Sequence, residues 1–282
     1  MSHIVTGEKI QQLCDVYLGF EEDFQFNPLI KNHYNKHIDL NYLSGMYDNP
    51  LYIFCYAHRI KDLSYKINLF QNNFILVTHN SDCEIRQVEE IFNILNREKL
   101  LKWYGQNICF EHPKLQFLPI GLANSMWEHG NLSLFNDKNF INNSNASNIK
   151  TKKVYFNFSI DTNKKKRQNC YDALKNKLEW LENVNPIQNQ LRLKEYEFCI
   201  CPEGNGVDSH RLWEALYLKT VPIVIKSEFT NILIKQCVPL FVLESWQDLN
   251  IDDLNYNDFD FNNPDFIKLL NFDNNYLDLI II

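Results

Sequence analysis

The chain has 282 residues, 45% of them apolar and 22% charged, an ordinary globular balance with room for two domains. Its net charge of -7, from 28 Lys plus Arg against 35 Asp plus Glu, argues against a nucleic-acid partner. No secretory leader opens the sequence, no apolar run approaches the ~20 residues that span a bilayer, and Cys residues sit in apolar runs such as YIFCYA, so a reduced, cytoplasmic chain is expected.

Taken in chain order, a helix is predicted from Glu8 to Leu18, ahead of apolar runs at 51–56, 73–78, 107–110 and 114–118 that read as strands. Between the second and third runs, 84–96 sets Ile85, Val88, Ile91, Phe92 and Leu95 at helical spacing. The stretch 141–152 is Asn/Ser-rich and almost free of large apolar residues, the composition of a linker. It divides an expected first domain, 1–140, from a second, 153–282. The acidic end of the second reads as solvated surface, with packing back onto the first domain as the alternative.

The second half restarts with a strand at 154–158 and a helix from Lys164 to Leu181, striped by Cys170, Leu174, Leu178 and Leu181. Strands at 196–201, 221–225 and 238–243 then alternate with helices at 209–218 and 229–235. Such alternation is the pattern of parallel α/β sheets. Cys199 and Cys201 are expected on opposite faces of their strand, unable to share a metal.

The most informative segment is EFCICPEGNGVDSHRLWEALYLKTVPIVIK, residues 197–226. An apolar strand runs into Pro202 and a Gly204-Asn205-Gly206 turn, then a helix, then a second apolar strand. The loop therefore sits at the carboxyl end of a strand, where open α/β sheets bind ligands. Asp208 or Ser209 is placed to cap the helix and leave backbone N–H groups facing an anion. His210, Arg211 and Glu214 share one helix face, opposite Leu212, Ala215 and Leu216. The cation, the imidazole and the helix end suit a pyrophosphate, while the carboxylate suits a ribose diol. The same face also reads as solvent-exposed, with Arg211 and Glu214 a surface pair of little worth. Gly204-x-Gly206-x-x-Ser209 partly matches a dinucleotide fingerprint, but Glu203 and Asp208 put negative charge into that loop.

CPEGNGVDSHRLWEALYLKTVPIVI resembles the donor-side motif of exostosin-like glycosyltransferases, in which a Pro/Gly turn leads into a Ser-x-Arg-Leu-x-Glu-Ala-Leu helix and a Val-Pro-Ile/Val strand. HPKLQFLPIGLANSMWEHGN and LVTHNSD are similar to loops of related short microbial or viral enzymes. The resemblance implies two Rossmann-like α/β domains facing across a cleft, the GT-B arrangement, with a nucleotide-diphosphate sugar on the second. The acceptor, a glycan or glycoprotein, would sit on the first. It also implies an inverting transfer with no obligatory metal or other cofactor. On that reading Gly204, Gly206, Ser209, His210, Arg211 and Glu214 contact the donor. Arg167, in the basic turn Lys164–Arg167, joins them unless that turn is merely solvated.

Inverting transfer needs a base for the acceptor hydroxyl. In the loop 78–82, Asp82 is the first candidate and His79 the second, against a competing role for Asp82 or Ser81 as cap of a helix beginning at Glu84. The loop 119–131 carries Ser125, Trp127, Glu128 and His129, well composed to hold an acceptor sugar, since Trp stacks on apolar sugar faces. A structural loop around a buried Trp is the alternative. No Asp-x-Asp stands where a metal-dependent transferase needs one, so no metal is expected. A catalytically silent nucleotide- or carbohydrate-binding module of the same fold is the competing function.

Overall fold

The computed structural model describes residues 3–19, 50–136, 150–273 and 275–279. The first half builds a parallel sheet in chain order from β1 (Val16–Leu18), β2 (Leu51–Tyr56), β3 (Phe74–His79), β4 (Leu100–Gly105) and β5 (Leu115–Phe117). A second parallel sheet follows, again in chain order, from β6 (Lys152–Tyr155), β7 (Tyr196–Ile200), β8 (Val221–Ile225) and β9 (Phe241–Leu243). The fold is thus mixed α/β with two parallel sheets. Parallel neighbours need long crossovers. In the first half the helices are α1 (Gly7–Gln12), α2 (Ile60–Leu69), α3 (Glu89–Leu95) and α4 (Ser133–Asn136). In the second they are α5 (Lys164–Leu174), α6 (Pro186–Leu193), α7 (His210–Tyr217), α8 (Glu228–Lys235), α9 (Pro264–Leu270) and α10 (Tyr276–Leu279).

The inner strands are largely apolar because both faces of each sheet are covered, whereas the edge strand β6 (KKVY) is exposed over its first half. In β2 and β3 every residue except Tyr52 is buried. In the second sheet, Cys199, Cys201 and Val224 belong to one apolar cluster with Leu212, Trp213 and Ala215 of α7 and Phe229 of α8. Phe198, Ile200, Val221 and Ile223 belong to another, with Cys170 and Leu174 of α5 and with Trp246 and Leu249. Cys199 and Cys201 therefore share a face, against the sequence expectation. Side chains two apart on a strand point the same way.

The first cluster does not stop at the second sheet. It continues into Ile53, Leu76, Trp103 and Phe117 of the first, so the two halves share one core. Phe117 is the meeting point, stacked on Trp213 at 6.2 Å and edge-on to Phe229 at 5.8 Å. Tyr217 of α7 adds a polar tie. Its hydroxyl accepts from the Val5 N–H (2.9 Å) and donates to the Leu270 carbonyl (2.7 Å). The end of the chain returns to its beginning, with Phe272 N–H donating to His3 O (2.7 Å) and Ile4 bridging Asn271. At the far end of α7, Lys150 donates to the carbonyls of Lys194 (2.8 Å) and Leu218 (2.9 Å) and to Thr220 Oγ1 (2.8 Å).

Several elements differ from expectation. The helix placed at 8–18 ends at Gln12, because Val16, Tyr17 and Leu18 are buried as the edge strand β1. The run 107–110 is not a strand. Asn107 takes a left-handed backbone (φ 56°) just beyond β4, which turns the chain there. The helix of 84–96 begins only at Glu89, and that of 164–181 ends at Leu174. Beyond it Leu181 N–H donates to Phe156 O (3.1 Å), so the chain lies along the sheet instead. Of the predicted linker 141–152, residues 141–149 lie outside the described part.

Candidate functional site

The turn after β7 and the first half of α7 meet loops of the first half at the carboxyl ends of both sheets. Asp208, 2% exposed, stands at the joint. Its carboxylate accepts from Ile120 N–H (2.7 Å) and from Trp213 Nε1–H (2.7 Å), while its own N–H donates to Asn107 Oδ1 (2.9 Å). Asn107 Nδ2 in turn donates to Ser81 O (2.9 Å). Burial pushes the Asp208 carboxyl up to about 7, outweighing the three N–H groups that favour its charged form. Asp208 is therefore a seam residue and no helix cap. Ser209 occupies the N-cap position without a side-chain capping bond. Neither Asp208 nor Asn107 stood out as a site residue in the sequence.

The two glycines of the turn have different neighbours. A Cβ on Gly206 would come within 2.8 Å of Asn107 Nδ2 and 3.1 Å of Asp82 O, so this glycine permits the close approach of the two halves. A Cβ on Gly204 would stand 3.5 Å from Arg167 Nη2. Gly204 thus lies directly against that guanidinium, with room for a Cβ in ordinary contact.

Arg167 lies in the first turn of α5, 6% exposed. Its Nε donates to Glu203 O (2.9 Å) and its Nη1 to Ser159 O (2.8 Å), and the guanidinium lies over the Phe158 ring. The remaining cations of that turn behave as surface residues, with Lys166 pairing with Glu203. Arg167 is pushed down to about 10, first by burial and then by the nearby charge of Arg211. Arg211 keeps a buried Nη1 with no hydrogen-bond partner. The two guanidiniums feel each other's charge, and at Arg211, against burial, the charges of Cys199 and Glu214 hold the group above its ordinary value. Both remain cationic at neutral pH.

Glu214 is 8% exposed, so a solvent-exposed Arg211–Glu214 pair is not what forms. Burial raises its carboxyl, against the opposing pull of Arg211 and His129. His210 donates from Nδ1 to Gly121 O (2.9 Å). Burial first, and then the charges of His129 and His79, push its imidazole down to about 4. On the other side of α7, Ser209 and Leu212 line a cavity of ≈ 280 Å³ at the carboxyl ends of β7–β9. Val224, Phe229 and Trp246 wall it, and Ser227 and Glu244 lie on its edge. Glu214, placed for a ribose in the sequence reading, is not among the cavity's lining residues and faces the first half.

The first-half candidates divide. Trp127 is 53% exposed, which rules out the buried-Trp alternative, and its ring stacks on His129 at 6.3 Å and 18°. The His129 ring lies 6.0 Å from that of His210, so these two loops come together. Glu128 is exposed at the start of the same turn. Ser125 is turned away, its N–H and Oγ both bonding the Glu8 carboxylate. Asp82 is exposed and caps no helix, since α3 begins seven residues later at Glu89. His79 is completely buried, its Nε2–H donating to Pro119 O (3.0 Å), and burial pushes its imidazole down to about 4. A ring so enclosed cannot reach an acceptor hydroxyl, which corrects its candidacy as base.

Among the described residues no group of three or more His, Cys, Asp or Glu could hold a metal ion, and no helix is long and apolar enough to cross a membrane. Compared with family models and with curated proteins, the sequence matches none.

Proposed function

We propose that the protein transfers a sugar from a nucleotide-diphosphate donor to an acceptor glycan, with the two halves arranged as in GT-B glycosyltransferases. The observation that carries this reading is the pair Arg167 and Arg211, two largely buried guanidiniums near the carboxyl end of a parallel sheet, which do not line the cavity there but flank residues that do, Lys166 and Leu212. Two like charges in such a place are costly, and a diphosphate would neutralise them while satisfying the Nη1 of Arg211 that has no hydrogen-bond partner. The cavity then takes the nucleoside. The departing diphosphate is stabilised by the two cations, so no metal is needed for that charge.

Calorimetry with UDP, GDP, TDP and CMP in EDTA tests the reading. One of the diphosphates should bind, and Arg211→Ala should weaken it by about 10–150-fold, the loss of ~1.5–3 kcal/mol typical of a charged hydrogen bond. Absence of binding, or unchanged affinity in the variant, would refute the assignment. A silent binding module is the second reading. It is favoured by the complete burial of His79, which leaves that candidate base no access to an acceptor.

A further inference from the structure

Resting on the transferase reading, we infer that His129, set against His210 of α7 across the seam, is the base that takes the proton of the acceptor hydroxyl. Three imidazoles cluster here, and geometry separates them. His79 and His210 each commit one ring nitrogen to a backbone carbonyl of the first half and are enclosed. His129 is exposed, on the 128–130 turn, with Trp127 stacked on one side and α7 on the other. An acceptor sugar packed along the exposed edge that Trp127 and His129 share would bring a hydroxyl within reach of the imidazole.

Glu214 completes the arrangement. It projects from α7 one turn beyond Arg211, and its charge acts on both Arg211 and His129. The same helix therefore carries a diphosphate contact and the carboxylate that steadies the base. In the step, the acceptor O–H gives its proton to His129 as the new O–C1 bond forms. The C1–O bond to the diphosphate breaks, and its electron pair leaves on the nucleoside diphosphate between Arg167 and Arg211. The imidazolium left behind faces Glu214. The other charged groups around His129 are Glu128 on its own turn and His210 and Arg211 on α7. From α6, which packs against the turn, Arg192 is engaged with Glu182 at 3.1 Å.

The test compares wild type, His129→Gln, His129→Gly, Glu214→Gln and Asp82→Asn with UDP-, GDP- and TDP-hexoses and a disaccharide panel. His129→Gln should lower kcat by about 10²–10⁴ while leaving the diphosphate Kd unchanged. Added imidazole should restore part of the activity of His129→Gly, a recovery that a merely structural role would not produce. Glu214→Gln should lower kcat less than His129→Gln does and leave KM for the acceptor unchanged, since it removes the partner of the protonated ring and not the proton acceptor itself. Asp82→Asn should retain turnover. Full activity in His129→Gln, or loss of its diphosphate affinity, would overturn this assignment alone. Wild-type protein that binds diphosphate yet releases none from any donor would overturn the transferase reading and the base with it.

Discussion

Asp208 is held by three segments at once, through Ile120, Trp213 and Asn107. A carboxylate accepts from both N–H donors, whereas the amide of Asn must turn its NH₂ towards one of them. Asp208→Asn should therefore cost about 1–3 kcal/mol near neutral pH, the usual penalty for a buried donor left unmade. Its pH dependence has a definite sign. The carboxyl rises from its ordinary 3.8 to about 7 on folding, so the folded state holds its proton more tightly. The stability this provides is fully present below 3.8 and is lost as pH rises through about 7. Wild type should lose stability across that window, and Asp208→Asn should lose less. Denaturant melts at several pH values measure both slopes, and equal slopes would contradict the buried carboxyl's role.

Among the elements, α6 was missed although its start was written plainly. Asn185 accepts from Gln188 N–H (2.9 Å), and Pro186 occupies the first helical position. Asn185→Ala should cost about 1 kcal/mol, read as a lower melting temperature, and an unchanged melt would mean that packing alone holds α6. β2, β3, β7 and β8 were legible because their residues are apolar on both faces. β4 was not, because Leu101 and Lys102 interrupt its buried residues while the more uniformly apolar 107–110 drew attention. α2 buries only Leu63 and Ile67, a sparse stripe. The candidate site divides in the same way. Arg211 and Glu214 are three apart on one helix, so local spacing shows them together. The bond between Asp208 and Asn107 spans 101 residues, and no local pattern carries such a pairing.

Over the whole molecule, the shared core is the dominant fact. Phe117 buries against Trp213 and Phe229 across the halves, as Phe135 does against Tyr217, so separating the sheets would expose large aromatic surfaces. Each fully buried large side chain is worth about 1.5–3 kcal/mol. Unfolding should accordingly be one cooperative transition, with calorimetric and van't Hoff enthalpies equal. Two resolved transitions would show that the halves hold together independently of this seam.

The return of the chain's end to its start also bears on how the protein is made. His3 and Ile4 pair with Asn271 and Phe272, and Tyr52 of β2 donates to Asp278 (3.2 Å). At the usual synthesis rate of about 5–20 residues per second, some tens of seconds separate these partners' departure from the ribosome. Throughout that interval Val5, Thr6 and Glu8 can already meet Leu122 and Ser125, but nothing from 271–278 covers His3 and Ile4, and α7, which receives Val5, arrives only after residue 217. The first half therefore cannot finish folding on its own, vectorially. Its completion waits for residues 271–278 to be made, and a nascent chain stalled short of residue 264 would display an unfinished apolar surface to whatever chaperone attends it.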